Sequence, residues 1–109
     1  MTDRRLAPRR PLGDFVTAVY RDQALLCLGC DISEGGMFVR ATGSVQRRLA
    51  DHEGPIVLSF TLPGDDRVVW ACGTPYRQGD GCDGRGTVLA FTYVPDHTRE
   101  RLRVWAEAA

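Results

Sequence analysis

The sequence contains no lysine and no asparagine, and all 14 of its cationic residues are arginine. They are matched by 14 acidic residues, so the formal net charge is zero. A neutral chain is not built to coat nucleic acid through unspecific phosphate contacts, nor is it an acidic disordered tail. No apolar run approaches the ~18 residues of a transmembrane helix, which predicts no membrane insertion. The N-terminal MTDRRLAPRRPLGD carries charge but lacks the apolar stretch of a secretory signal. The expected location is therefore cytoplasmic, where the four cysteines stay thiols. There is no internal repeat and no low-complexity run, and 109 residues predict one domain.

Apolar residues make up 43% of the chain, enough for one core. Glycine and proline, 12 and 6 residues, together exceed their ~12% average share and predict many turns between short elements. Residues 1–13 carry Arg4, Arg5, Arg9 and Arg10 against Asp3, interrupted by Pro8 and Pro11. Proline disfavours helix at and before its own position, so this segment reads as an extended, flexible arm. From Phe15 the period becomes two. Strands are predicted over 15–21, 24–32, 37–41, 56–62, 67–77 and 87–94, with a polar loop over 42–55 that has room for a helical turn. In 56–62, Ile56, Leu58, Phe60 and Leu62 share one face. Six short strands in about 80 residues are spaced as in an all-β barrel or sandwich. Over 96–108 the period changes to that of a helix, with Asp96 or Thr98 as cap and Leu102, Trp105, Ala106 and Ala109 on one face.

Several motifs point to chemistry that their context does not support. Gly79 to Gly84 spells GxGxxG, but a dinucleotide fold needs that motif between a strand and a helix, and a strand follows here. A β-hairpin loop is the better reading. Asp80 and Asp83 lack the ligand spacing and closing Glu of a calcium loop. Cys27 and Cys30 form a CxxC that Cys72 and Cys82 would complete as a zinc site. In a regular strand, however, positions 27 and 30 face opposite sides, so buried strand thiols are expected and no metal. His52 and His97 have no nucleophile nearby in sequence and read as surface residues.

Two motifs remain. Arg5 to Arg9 is an RxxxR, and Asp31 to Gly36 is a DxSxxG. Alone, the first reads as a solvated arm and the second as a turn held by its Asp or Ser. Together, on six short strands and a terminal helix, they resemble the PilZ domain family, bacterial receptors for cyclic di-GMP. The resemblance continues through VVW at 68–70, the Gly-rich turn, LAF at 89–91 and the closing helix with Trp105. It covers nearly the whole chain and departs from the family in the 42–55 loop and the four cysteines. It implies a mainly β fold: a six-stranded antiparallel barrel with a C-terminal helix, preceded by the arm of residues 1–13. It also implies that Arg5 and Arg9 take phosphates and guanine edges while Asp31, Ser33 and Gly36 surround a guanine. Arg4, Arg10 and Arg40 are further candidates on charge grounds, and Gly35 as a second glycine that lets the backbone turn and a base approach.

The residue types suit that ligand. A guanidinium binds phosphate bidentately, grips guanine O6 and N7, or stacks on the base, whereas lysine does only the first well. A carboxylate at Asp31 accepts from guanine N1–H and N2–H, and the Ser33 hydroxyl donates or accepts. Glycine lets the backbone turn and a flat base come close. No paired acid and base stands ready to cleave a phosphodiester, so a receptor is expected, not an enzyme, with no cofactor beyond the ligand. Its arm would order on binding and signal to a protein effector, and a homodimer is admitted. The alternative is a PilZ-like adaptor working by protein contacts without nucleotide. A barrel for single-stranded nucleic acid wants a basic groove with exposed aromatics. Zero net charge, and aromatics expected in strand cores, argue against it.

Overall fold

The computed structural model describes residues 10–21, 23–41, 43–81 and 84–107. The chain runs β1 (Arg10–Tyr20), β2 (Gln23–Ser33), β3 (Gly36–Arg40), α1 (Gly43–Asp51), β4 (Ile56–Phe60), β5 (Val69–Gly81), β6 (Gly84–Tyr93) and α2 (Asp96–Glu107). All neighbouring strands are antiparallel and close into a barrel in the order β1-β2-β3-β6-β5-β4. The expected six-stranded barrel with a C-terminal helix is therefore what the chain forms.

Alternation does most of the building. Val16 and Ala18 of β1, Ile56, Leu58 and Phe60 of β4, and Met37 and Val39 of β3 point inward and are buried. The polar segment after β3 forms a nine-residue helix, where the sequence pattern predicts a loop with at most a helical turn. Its Val45 and Leu49, four residues apart, share the face that meets the core. At its side, Gln46 Nε2 donates to Gln78 Oε1 and to Thr87 Oγ1, both at 2.8 Å, which satisfies the buried Thr87 hydroxyl. In α2, Leu102 enters the core and Trp105 packs beside it. Thr98 is not the cap: it lies inside the helix, and its hydroxyl donates to the Trp70 carbonyl at 2.8 Å. Arg101 adds an ion pair to Asp65 at 2.5 Å, tying α2 to the β4–β5 connection. Of the GxGxxG residues, Gly79 and Gly81 lie on β5 and Gly84 on β6, with Gly81 paired to Gly84.

Three expectations need correction. First, β1 begins at Arg10, so residues 10–13, assigned to the arm, belong to the barrel. Leu12 is buried in the core, and Gly13, at φ 68°, takes the turn that lets the strand resume at Asp14. Second, the parity argument for Cys27 and Cys30 assumes a regular strand, and β2 is irregular just there; both thiols are buried, as expected. Gly29 pairs with Val39 and Asp31 with Phe38, leaving Cys30 as an extra residue in a bulge that resets the alternation. Third, the aromatics are not all in strand cores. Phe15, Trp70, Tyr76 and Tyr93 are exposed, so only the charge argument against a single-strand binder stands.

The bulge explains Gly29. A Cβ there would lie 2.5 Å from Leu12 Cδ2 and 2.7 Å from Val16 Cγ2, so those two side chains occupy the space a larger residue would need. Gly29→Ala should destabilise the barrel by about 1–3 kcal/mol, the range for overpacking a filled core. In a Leu12→Ala background the same change should cost less. Urea unfolding of the four proteins measures this, and equal costs in both backgrounds would remove Leu12 from the account.

Burial pushes the Cys27 thiol up to about 11 from 9.0. Between those values the unfolded chain has lost the proton and the folded chain has kept it, so stability should fall as pH rises from about 9 to 11. Cys27→Ala should unfold more easily at neutral pH but show a shallower fall over that window, read from melting temperature against pH.

Candidate functional site

The DxSxxG segment spans the end of β2, a two-residue turn and the start of β3. Ser33 pairs with Gly36, Ile32 with Met37 and Asp31 with Phe38. The Ser33 hydroxyl oxygen accepts the Gly35 N–H at 3.3 Å, which holds the turn. The Gly35 carbonyl in turn accepts the Phe91 N–H at 2.9 Å, pinning the turn to β6. Ile32 is buried, so Asp31 and Ser33 on either side of it face out of the barrel, each half-buried.

The start of β1 lies along the same stretch. Arg10 pairs with Ile32 and Pro11 with Asp31. The backbone that carries the arginine motif thus enters the barrel directly beside Asp31 and Ser33. Arg4, Arg5 and Arg9 lie outside the described residues.

Gly36 and Gly35 have different environments. Neither has a positive φ. A Cβ on Gly36 would lie 2.2 Å from the Leu89 carbonyl oxygen, so here the absence of a side chain serves the contact between β3 and β6. Gly35 is exposed, and a Cβ on it would meet nothing within 4 Å. Arg40 lies two residues beyond Phe38 on the same side of β3. Its guanidinium lies over β6, where a Cβ on Gly84 would come within 2.5 Å of Nη2. The structure therefore brings Arg10, Asp31, Ser33, Gly35 and Gly36 into one neighbourhood, and sets Arg40 about 14 Å along β3 from Gly36 at the rise of an extended strand.

Residues that the sequence pattern does not single out line the same wall. Ala90 is the β6 partner of Gly36, and Val88 is the partner of Phe38. Gly36 and Ala90 together leave a low, side-chain-poor strip beside Ser33. Phe38, although on the outward side, is only 4% exposed. The sequence signal for Ala90 is its place in LAF, but its pairing with Gly36 needs the β3–β6 register.

The other candidates are structural. His52 packs against Tyr20 at the far end of β1, ring centroids 4.3 Å apart and planes tilted by 49°, and His97 is exposed on α2. Among the described residues no three His, Cys, Asp or Glu side chains gather as metal ligands. No described helix is long and apolar enough to cross a membrane.

No family model and no curated protein sequence matches the chain. Solved structures do. The Bacillus subtilis inhibitor of motility MotI/DgrA superposes with a TM-score of 0.79 at 16% identity, over 98% of this chain and 51% of that one. The Borreliella burgdorferi PlzA protein, solved in complex with c-di-GMP, superposes with a TM-score of 0.64 at 15% identity, over 94% of this chain and 41% of that one. The fold is PilZ-like. The chain spans about half the length of the first neighbour and less of the second.

The two glycines make a paired test. Gly36→Ala should cost the barrel about 1–3 kcal/mol, because the obstacle is backbone. Gly35→Ala should stay within about 0.5 kcal/mol of the parent. Urea midpoints decide it, and a neutral Gly36→Ala would show that β3 and β6 separate more easily than their spacing indicates.

Proposed function

We propose that this protein is a receptor for cyclic di-GMP that passes the signal to a protein partner and catalyses no reaction. The observation that supports this most is the β1–β2 register. It sets Arg10 and Pro11, which directly follow the RxxxR motif in sequence, beside Ile32 and Asp31 of β2. Arg9 is bonded to Arg10, and Arg5 is near enough that its Cα stays within about 18 Å of Arg10 even at full extension. The PlzA neighbour is a c-di-GMP complex, and the MotI/DgrA neighbour is an inhibitor of motility. Both lend support to the ligand and to a signalling output.

In this reading Arg5 and Arg9 clamp phosphates and guanine edges. Asp31 accepts from one guanine's N1–H and N2–H, and Ser33 bonds its rim. The strip at Gly36 and Ala90 gives a flat base room to lie against the wall. Arg10 and Arg4 add charge near the phosphates, and Arg40 contributes from farther along β3. Ligand binding orders the arm against the barrel, which costs affinity but creates a new surface for an effector. The setting is a cytoplasmic one, with no cofactor and no metal required.

Isothermal titration with cyclic di-GMP tests this, with GTP and a short oligonucleotide as controls. Arg9→Ala and Arg5→Ala should each weaken binding about 10- to 150-fold, the loss of a hydrogen bond to a charged group. Asp31→Ala should weaken cyclic di-GMP and narrow its margin over cyclic di-AMP. Deleting residues 1–9 should abolish binding while keeping the melting temperature, since the cut leaves Leu12 in the core. Unchanged binding by both arginine variants would refute the assigned roles, and no binding by the parent would favour the nucleotide-independent adaptor.

A further inference from the structure

Among the described residues, three outward rows of the barrel wall across β2, β1, β4, β5 and β6 carry no charged side chain, and the third is bordered by Arg40 of β3. Register fixes these rows. One row runs Ala24, Val19, Val57, Cys72 and Tyr93 across β2, β1, β4, β5 and β6. The next runs Leu26, Thr17, Ser59 and Trp70. A third runs Leu28 and Phe15, with Arg40 of β3 as the register partner of Leu28 at its border. Phe15, Leu26 and Tyr93 are 61%, 60% and 57% exposed, and Trp70 and Val57 are each 38% exposed.

We propose that this wall is a self-association surface on which two copies of the chain pair face to face about a two-fold axis. Four observations select a second copy as occupant. The strands that carry the central rows of the patch are already paired with one another, so a partner there must meet side chains. The wall has relief: Leu26 and Phe15 form one ridge and Trp70 and Tyr93 another, with rings 5.8 Å apart. Between them lie the small, half-buried Thr17 and Ser59. A ridge of one copy fits the trough of its mate, which is the self-complementarity an isologous interface needs.

Charge at the rim gives the orientation. The exposed Asp14 of β1 and Arg21, in the turn just past β1, lie at opposite ends of the patch, and neither forms an ion pair with another described residue. With the two β1 strands antiparallel across the interface, Arg21 of each copy meets Asp14 of the other. The area is also sufficient. The exposed apolar side chains present about 500 Å² per copy, so pairing would bury about 1,000 Å², the lower bound of a specific and reversible interface.

Sedimentation equilibrium of the nucleotide-free chain tests the proposal, so its outcome is separate from that of the receptor reading. The parent should dimerise reversibly in the micromolar range. Leu26→Glu and Phe15→Glu, at exposed positions, should keep the parent melting temperature and weaken dimerisation at least about tenfold. Asp14→Arg and Arg21→Asp should each weaken it, and the double swap should restore it. In a Cys82→Ser background, alkylation of half-exposed Cys72 should slow as concentration rises, while Cys27 and Cys30 are buried in either state. A monomer at several hundred micromolar, dimerisation unaffected by both glutamate variants, or a wall taken up by a different protein while the chain stays monomeric would each overturn it.

Discussion

The extra residue at Cys30 decides which way the DxSxxG turn faces. Up to Gly29, the odd-numbered positions of β2 point into the barrel: Leu25, Cys27 and Gly29 are all buried. Continued without interruption, that alternation would drive the Asp31 carboxylate into the apolar core, where an unpaired charge is costly. The bulge moves the inward role to Ile32 and turns Asp31 and Ser33 outward. Its counterpart in β1 is the irregular step between Pro11 and Asp14, where Leu12 covers the bare Gly29. Core packing and site orientation therefore share one local irregularity, consistent with the tendency of bulges to lie beside functional sites.

Sequence pattern carries the fold well where strands are regular. The 56–62 alternation holds residue by residue, since Ile56, Leu58 and Phe60 are buried and Val57 is not. The terminal helix is equally legible because its period differs so sharply from what precedes it. What pattern alone does not reveal is a shift of parity inside a strand. A bulge needs the register of the partner strand, so the regular strand assumed in the parity argument for Cys27 and Cys30 is not what forms. The arm boundary fails similarly: Pro11 argues against a central strand, yet Leu12 supplies enough burial to hold Arg10 and Pro11 beside β2.

The site is legible in its residue types but not in its floor. Asp31, Ser33 and the glycines are adjacent in sequence, so a local turn brings them together. Ala90 joins them only through pairing of β3 with β6, across more than fifty residues. Gly36 illustrates how the two levels mix. Its type fits a base-binding turn, while its geometry is dictated by the Leu89 carbonyl. A substitution there changes the wall on which a ligand would lie as well as any contact with it.

Aromatic placement sets the final constraint on the barrel. A closed sheet has an outside as extensive as its inside, and this chain uses outward positions in two chemical styles. Around the β2–β3 turn they are polar or lack side chains, which suits a polar, flat ligand. In the rows through Val19 and Thr17 across β1, β4 and β5 they are uncharged and mostly apolar, with Thr17 and Ser59 the exceptions. Exposed Phe15, Leu26, Trp70 and Tyr93 contribute little to a core they do not enter, and single exposed apolar residues need no explanation. Their alignment in register over neighbouring strands is different, because contiguous patches mark surfaces that are covered in use. Polar outward residues would have served the barrel equally well, so the demand for this composition comes from outside the fold.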